Sequence, residues 1–484
     1  MRPMRRRVTA LRRRHHLLAA LFALLAPQRA PAQPGQYALQ EIARAGDPAP
    51  GGGVMTYLLG VDIDESGRVL FHASVSPPPF TSDVIAVFDG VSLHSAVRKG
   101  ELAPPPVGQP FALIYHGRLG GAGALAWGGW YRLPSTEMPS GTFVRSGGAD
   151  STRLLRGQPL PGGGTVYGIN YVWDMNDAGD VLVQVTLDSG LTALLLARST
   201  GVIEVEREGQ ATPAGGVFAA LDPVRPWLGE DGSVLFPAAI VGSGVQYAVF
   251  ERSAGGSLSV VVSQGDPLLT ARGGTVENIF AASRSRSGDL YVTGWVLRPS
   301  QLDAQVVAVI GDSAREIVAS EDVLPGMNGE HFLGVLNGLP RMNAAGDVML
   351  PVLTAESYQH AVFVSRDGVL HPVIREGDPI PGRPGEAFRS VDDAAFNDAG
   401  QIAIAISSSN GSTSVFLATP APAEVPLAPP LTFIALGAGI VAAARRYTRL
   451  VRSFQNGSRK VRFRIFPEPV RGSSPMNEIE RGTL

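Results

Sequence analysis

The sequence contains seven copies of a unit of about 55 residues, and this period limits the fold more than any other feature. Two motifs alternate along the chain. Copies or remnants of a Gly-Asp-Pro turn begin at Gly46, Gly100, Gly157, Gly209, Gly265, Glu321 and Gly377. The second motif, Asn-x-x-Gly before a β-branched or aromatic run, has its glycines at Gly67, Gly123, Gly179, Gly232, Gly288, Gly346 and Gly400. This alternation indicates a tandem array of one supersecondary unit.

Each unit predicts four short β-strands. The first strand leads into the Asn-x-x-Gly turn and the second follows it, as in residues 69–71 (VLF). The third is seen in residues 248–250 (AVF), and the fourth, as in residues 260–262 (VVV), ends in the Gly-Asp-Pro turn. Short apolar runs bounded by Gly, Asp, Asn and Pro are typical of all-β folds. Four strands in about 55 residues is the size of a propeller blade.

The two ends of the array complement each other. The last unit stops at its third strand, residues 414–418, whereas a spare fourth strand, residues 37–45, precedes the first unit. We therefore predict an all-β, seven-bladed β-propeller over residues 33–420, with the ring closed by the N-terminal strand. An open solenoid is the alternative, but it has no need for complementary ends.

The chain begins with the pattern of a signal peptide, residues 1–32. An arginine-rich start precedes a ten-residue apolar run at 17–26 (LLAALFALLA), and residues 30–32 (APA) fit the small-x-small cleavage rule. Ten apolar residues are too few to span a bilayer, which takes about 20. We expect export; an uncleaved anchor is the alternative.

The other end has the pattern of a membrane anchor. A Pro/Ala spacer at 421–430 precedes an anchor segment at 431–450, which we expect to contain a transmembrane helix. The arginines Arg445, Arg446 and Arg449 follow its apolar part, which favours an inside tail and an outside domain. A basic, disordered tail is expected at 451–484. A buried core helix is the alternative for the apolar run; the anchor predicts a protein held at the cell envelope or surface.

Composition excludes several function classes. The chain has no cysteine, so it has no disulfide framework, thiol catalysis or thiolate-bound metal. Residues 33–444 contain 23 basic and 40 acidic residues, a formal net charge of −17. Such a charge disfavours nucleic acid as a partner, because its binding depends on phosphate neutralisation. It is compatible with cations.

These motifs resemble those of the bacterial choice-of-anchor tandem-repeat proteins, which carry an Asn-x-x-Gly-x-x-Ala-Phe repeat. The resemblance covers roughly residues 37–420, and three units match both the Asn and the Gly, at Asn176, Asn343 and Asn397. Residues 424–426 (EVP), the apolar run and the arginine cluster also look similar to a PEP-CTERM sorting tail. The resemblance implies export and a C-terminal anchor, and it supplies no catalytic residues.

Calcium is the only candidate cofactor that the sequence suggests, and no other cofactor is expected. Asp62-x-Asp64-x-x-Gly67 is similar to the start of a calcium loop, and Asp174 lies in register two units later. No downstream carboxylate recurs at a fixed offset, so turn capping is the alternative. Asn-x-x-Gly itself is interpreted as turn geometry, with Asn capping the turn and Gly taking positive φ.

The position five residues before each turn glycine is expected to line the central channel. It reads Asp62, Arg118, Asp174, Trp227, Ser283, Arg341 and Ala395. This set forms a polar lining without a nucleophile or an acid–base pair. The aromatic cluster Trp127, Trp130 and Tyr131 is interpreted as packing, with a sugar platform as the alternative.

These features favour a binding or structural surface module over an enzyme. The expected ligand is an extracellular glycan or protein. The alternative is a hydrolase or lyase acting on extracellular polysaccharide, to which the sequence assigns no catalytic residue. Fold alone does not choose between these classes, because function depends on sites carried by folds.

Overall fold

The computed structural model describes residues 37–421, except 77–81, 136, 222–224, 269, 271, 286–287, 299–300, 311–313 and 337–340. The described residues belong to the first of two compact units, Met1–Pro422 and Ala423–Leu484. The predicted signal peptide, membrane anchor and basic tail lie outside the described residues. Within the described part, no helix has the length and hydrophobicity needed to cross a membrane.

The described residues form thirty strands in seven antiparallel sheets, which are the blades of a β-propeller. Strands are numbered in chain order, and the inner strand of each blade comes first below. Five blades have a continuous inner strand: blade 1 (β2 Val54–Ile63, β3 Val69–Ser76, β4 Ser82–Phe88, β5 Leu93–Arg98), blade 2 (β6 Phe111–Leu119, β7 Leu125–Tyr131, β8 Ser140–Ser146, β9 Ala149–Leu155), blade 3 (β10 Val166–Met175, β11 Val181–Leu187, β12 Thr192–Arg198, β13 Gly201–Arg207), blade 5 (β19 Thr275–Arg284, β20 Leu290–Arg298, β21 Gln301–Ile310, β22 Arg315–Ala319) and blade 7 (β28 Phe388–Phe396, β29 Ile402–Ser408, β30 Thr413–Pro420, β1 Tyr37–Arg44).

In the other two blades the inner strand is in two pieces that pair with the same second strand. They are blade 4 (β14 Val217–Ala220, β15 Trp227–Leu228, β16 Val234–Val241, β17 Tyr247–Arg252, β18 Leu258–Ser263) and blade 6 (β23 Phe332–Val335, β24 Arg341–Met342, β25 Val348–Thr354, β26 His360–Arg366, β27 Val369–Arg375). A short 3-10 helix, Gly121–Gly123, lies in the first turn of blade 2.

The ring is closed by the N-terminal strand, which confirms that prediction. β1 pairs antiparallel with β30, in a register that runs from Tyr37 opposite Pro420 to Arg44 opposite Ser414. An ion pair between Arg383 and Glu41 fixes β1 to the loop that enters blade 7. Arg383 also donates a hydrogen bond from Nη2 to Ser414 Oγ, at 2.8 Å. The outermost strand of the last blade is therefore the first strand of the chain.

The repeated motifs are turns, as the sequence indicates. In blade 7 the side-chain Oδ1 of Asn397 accepts the backbone N–H of Gln401 at 2.9 Å, and Gly400 has a φ of 77°. Asn343 caps the equivalent turn of blade 6 in the same way. In the Gly-Asp-Pro turn, Asp266 Oδ2 accepts the backbone N–H of Ser263 at 2.7 Å. Both motifs therefore satisfy backbone donors where strands end.

The apolar core lies between neighbouring blades. Because each sheet packs on both faces, its middle strands are buried on both sides rather than on alternate residues, as in β11 and β29. One apolar cluster joins Ala403 and Leu417 of blade 7 to Val69 and Phe71 of blade 1. The seam where the ring closes is therefore packed like the other blade interfaces.

Candidate functional site

A cavity of about 480 Å³ opens at one end of the central channel. It lies on the face formed by the Asn-x-x-Gly turns, where the inner strands end. We call this cavity the funnel. All seven blades line it, through residues 62–65, 119–121, 173–175, 177, 225–231, 233, 251, 281–285, 288, 341–342, 396 and 398.

Most of the predicted channel residues lie at this end of the channel. Asp62, Asp174, Trp227 and Arg341 line the funnel, as does Ser283. Arg118 is buried, and its guanidinium donates hydrogen bonds to the backbone carbonyls of Trp173 and Gly117, both at 2.8 Å. Ala395 is part of the apolar core.

The channel aspartates connect one blade to the next. Asp62 Oδ2 of blade 1 accepts the N–H of Leu119 in blade 2 at 2.8 Å. Asp174 Oδ2 of blade 3 accepts the N–H of Leu228 in blade 4 at 3.1 Å. Each carboxylate therefore satisfies a backbone donor on the neighbouring blade's inner strand.

Two further charged residues belong to this layer but were not among the predicted channel residues. Asp393 of blade 7 accepts the N–H of Val61 in blade 1 at 3.1 Å, and Arg225 of blade 4 lines the funnel. Both stand seven residues before their turn glycine rather than five. Around the ring, blades 1 to 7 contribute Asp62, Arg118, Asp174, Arg225, Ser283, Arg341 and Asp393. Opposite charges therefore alternate through blades 1 to 4.

Burial and neighbouring charges shift the pKa values of this layer. Burial raises the pKa of Asp174, although Arg341 and the Leu228 N–H oppose the shift. Burial lowers the pKa of Arg225 to about 10, with Asp393 opposing the shift and the positive charges of Arg118 and Arg341 adding to it. For Arg341, burial acts against the charge, but the attraction of Asp62, Asp174 and Asp393 outweighs it and raises the pKa.

The rim of the funnel carries carboxylates on the Asn-x-x-Gly turns. Glu65 Oε2 accepts the N–H of Asp398 at 2.9 Å, and Glu230 Oε2 accepts the N–H of Asp177 at 2.9 Å. Asp398 Oδ1 in turn accepts the N–H of Ala344 at 2.6 Å. Among the described residues, the lining has nine acidic and three basic side chains. The rim therefore has a negative electrostatic potential.

The three aspartates considered for calcium have separate structural roles. Asp64 occupies the Asn position of the blade 1 turn, where its Oδ1 accepts the N–H groups of Ser66 and Arg68, both at 2.9 Å. Its Oδ2 accepts Nε of Arg68 at 2.6 Å. Asp62 and Asp174 lie on different blades, and no three His, Asp or Glu residues of the described part are grouped to hold a metal ion. Calcium binding stays a prediction from the sequence.

The aromatic cluster of blade 2 divides between core and surface. Trp127 and Tyr131 are buried in an apolar cluster, where Trp127 lies 5.8 Å from Phe143 between ring centroids. Trp130 is 40% exposed. None of the three lines the funnel.

Sequence and structure comparisons give the following similarities. A family model described as "Family of unknown function (DUF7453)" matches residues 27–356 and 300–416. No curated protein matches the chain. Among solved structures, similarity extends to a puromycin-hydrolyzing peptidase of Mycobacterium tuberculosis (14% identity, TM-score 0.43, 83% of this chain and 57% of the peptidase).

Two other structures have comparable similarity. PorZ, a surface component of the type-IX secretion system of Porphyromonas gingivalis, has 11% identity and a TM-score of 0.40, over 76% of this chain and 47% of PorZ. The Trypanosoma rangeli sialidase in complex with the inhibitor DANA has 10% identity and a TM-score of 0.37, over 79% of this chain and 59% of the sialidase. The chain thus spans about half to three fifths of these three proteins.

Proposed function

This chain belongs to the DUF7453 family of unknown function, and we propose that it is an exported, envelope-anchored propeller whose funnel binds a small polar ligand. One observation carries the proposal: all seven blades line a single polar cavity of about 480 Å³. Binding sites for small molecules typically have volumes of about 300–1,000 Å³ and a few convergent polar groups. The expected ligand is part of an extracellular glycan or of a protein, and nucleic acid is excluded from the proposal by the acidic rim.

The charged layer supports a preformed site. The carboxylates of Asp62, Asp174 and Asp393 are each held by a backbone N–H of the next blade. A site built on such fixed strands loses little conformational entropy when a ligand binds. These groups are therefore suited to hold a ligand in one orientation.

Catalysis is the second candidate function, and Asp174 is the observation that favours it. A carboxyl group with a raised pKa in a cavity is suited to general acid catalysis, as required for hydrolysis or elimination on extracellular polysaccharide. Binding is preferred because the carboxylate of Asp174 is engaged by two backbone N–H groups, those of Leu228 and Met175.

Export and anchoring are proposed from the sequence. The signal-peptide pattern of residues 1–32 and the apolar run with its arginine cluster at 431–450 support them, together with the resemblance to choice-of-anchor proteins and PEP-CTERM tails. Truncation after Pro420 should release the protein into the medium or periplasm. Equal membrane fractionation of the truncated and full-length chains would contradict an anchor in this segment.

The binding proposal is tested by a screen of glycans, peptides, amines and calcium on the full-length chain, read by tryptophan fluorescence. Trp173 and Trp227 line the funnel, so a bound ligand should change their emission. Trp227→Phe should reduce the ligand-induced change, whereas Trp130→Phe, which alters an exposed tryptophan outside the funnel, should not. The same samples are assayed for polysaccharide cleavage by hydrolysis and by elimination. Turnover that Asp174→Asn abolishes would overturn the preference for binding, as would the absence of any saturable ligand.

A further inference from the structure

Three neighbouring blades place polar donors side by side in the funnel. Blade 4 contributes Arg225, blade 5 Ser283 and blade 6 Arg341, and all three line the cavity. The Ser283 hydroxyl oxygen is buried and has no hydrogen-bond partner among the described residues. Neither guanidinium forms a hydrogen bond or a close ion pair with any described residue, although Asp393 attracts Arg225, and Asp62, Asp174 and Asp393 attract Arg341. We call these three residues the donor arc.

The remaining charged residues of this layer are committed to the fold. Asp62, Asp174 and Asp393 each accept an N–H of the next blade, and Arg118 donates to two backbone carbonyls. Buried polar groups are normally paired, and each unpaired one costs about 1–3 kcal/mol. The donor arc is therefore the part of the layer that forms no hydrogen bond with the described residues, and a ligand in the funnel supplies the acceptors.

The chemistry of the arc specifies an oxyanion. Guanidinium groups present fixed pairs of N–H donors that match the two oxygens of a carboxylate, and a serine hydroxyl donates to the same kind of acceptor. Arg341 also repels Arg225, since the positive charge of Arg341 lowers the pKa of Arg225. An anion between them relieves this repulsion.

The rest of the funnel restricts which anion fits. With nine acidic and three basic side chains in the described lining, the cavity disfavours a ligand of net negative charge. A carboxylate that enters together with a positive group avoids this cost. Such a positive group is attracted by the negative potential of the rim carboxylates Glu65, Asp177 and Glu230.

We propose that Arg225, Ser283 and Arg341 form a subsite for the carboxylate of a zwitterionic ligand whose ammonium group faces the acidic rim. The inference rests on the proposed function, because it names the ligand class of the same funnel. It makes the arc a specificity determinant, with the rim as its electrostatic complement.

Calorimetric titration of the full-length chain with matched probes tests the inference. 5-Aminovalerate carries both charges, valerate carries only the carboxylate and pentylamine only the ammonium group. The zwitterion should bind about tenfold or more tightly than either partial probe, since each charge-assisted contact contributes about 1.5–3 kcal/mol. Inorganic phosphate should bind more weakly than 5-aminovalerate, and the reverse order would contradict the zwitterion.

Two variants locate the carboxylate. Ser283→Ala and Arg225→Gln should each weaken 5-aminovalerate and valerate by about tenfold and leave pentylamine unchanged. Neither removes a hydrogen bond of the folded chain, so thermal unfolding should be preserved. Ser95→Ala and Arg153→Gln are matched controls, because each alters a side chain outside the funnel with a buried atom that has no hydrogen-bond partner among the described residues.

The outcomes separate the inference from the function on which it rests. Pentylamine binding that changes Trp227 fluorescence, with no effect of either variant on any probe, would refute the carboxylate subsite and leave the funnel as a binding site. If neither these probes nor the wider screen binds, both proposals fail. Selective loss of the two carboxylate probes in both variants supports both proposals.

Discussion

Among individual residues, the channel aspartates act as acceptors between blades, and this determines what their substitution does. Asp62→Ala leaves the Leu119 N–H without its acceptor and removes a negative charge near Arg341. We expect the free energy of unfolding to fall by about 1–3 kcal/mol, measured by urea denaturation. Asp62→Asn keeps an acceptor oxygen and should recover part of the loss. Equal stability of the Ala variant and the unsubstituted chain would contradict the bridging role.

Glu206 gives stability a pH dependence at neutral pH. It is buried on β13, and burial raises its pKa to about 7, although the Arg207 N–H and Arg252 oppose the shift. Because the folded state holds this proton more tightly than the unfolded state, the stability contributed by Glu206 falls as pH rises from about 4.5 to 7.

Glu206→Gln should therefore be more stable than the unsubstituted chain at pH 8 by about 1–3 kcal/mol and nearly equal to it at pH 4.5. Urea denaturation at both pH values measures the difference. The exposed Glu137→Gln is the control and should show no such pH-dependent gain. A constant difference at the two pH values would contradict a raised pKa for Glu206.

The candidate site was predictable at the residue scale only where the strand offset is constant. Counting five residues back from each turn glycine found Asp62, Asp174 and Arg341. It did not find Asp393, because β-bulges change the phase of the inner strands: the bulge nearer the turn is at Gly60 in blade 1 but at Asp392 in blade 7. A bulge re-aims the side chains that follow it, and sequence period alone does not reveal its position.

At the scale of elements, the turns are the features that the sequence predicts best. Asn-x-x-Gly and Gly-Asp-Pro predicted where strands end because each motif satisfies local donors with a short side chain. The interruption of the inner strand in blade 4 was not predicted. Pro226 lies between β14 and β15 and has no N–H to donate to a ladder, so it was the signal available for that break.

The turn asparagines also connect blades, which makes them testable at this scale. Asn397 Oδ1 caps its own turn, while its Nδ2 donates to the Asp64 carbonyl of blade 1 at 2.9 Å. Asn397→Ala removes both contacts and should lower the free energy of unfolding by about 2–3 kcal/mol. Asn397→Asp keeps the cap but not the donor and should have an intermediate effect. Identical unfolding of both variants would show that only the Nδ2 contact, and not the cap, contributes to stability.

At the scale of the whole molecule, the number of blades and the closure of the ring followed from repeat counting. Seven copies with complementary ends leave one arrangement in which every strand has its partner, because an open array exposes a strand edge. The funnel could not be predicted by counting repeats. Its volume and its donor arc depend on which side chains meet across the ring, and residues such as Asp62 and Asp393 are separated by most of the chain.

Ring closure by β1 gives the final prediction. Deleting residues 33–46 removes β1, exposes the hydrogen-bonding edge of β30 and uncovers the apolar surface that packs on Tyr37, Leu39 and Ala43. Burial of each large apolar side chain contributes about 1.5–3 kcal/mol, so the loss in stability should be on the order of 3–5 kcal/mol. Thermal unfolding and light scattering should show earlier unfolding and association through the exposed edge.

Deleting residues 33–36 alone is the control, because it leaves β1 intact and should leave unfolding unchanged. A synthetic peptide of residues 37–46 added in trans should restore the unfolding temperature of the deleted chain, since it supplies the same strand. Unchanged unfolding of the deleted chain would mean that the seventh blade is stable with three strands and that β1 does not hold the ring closed.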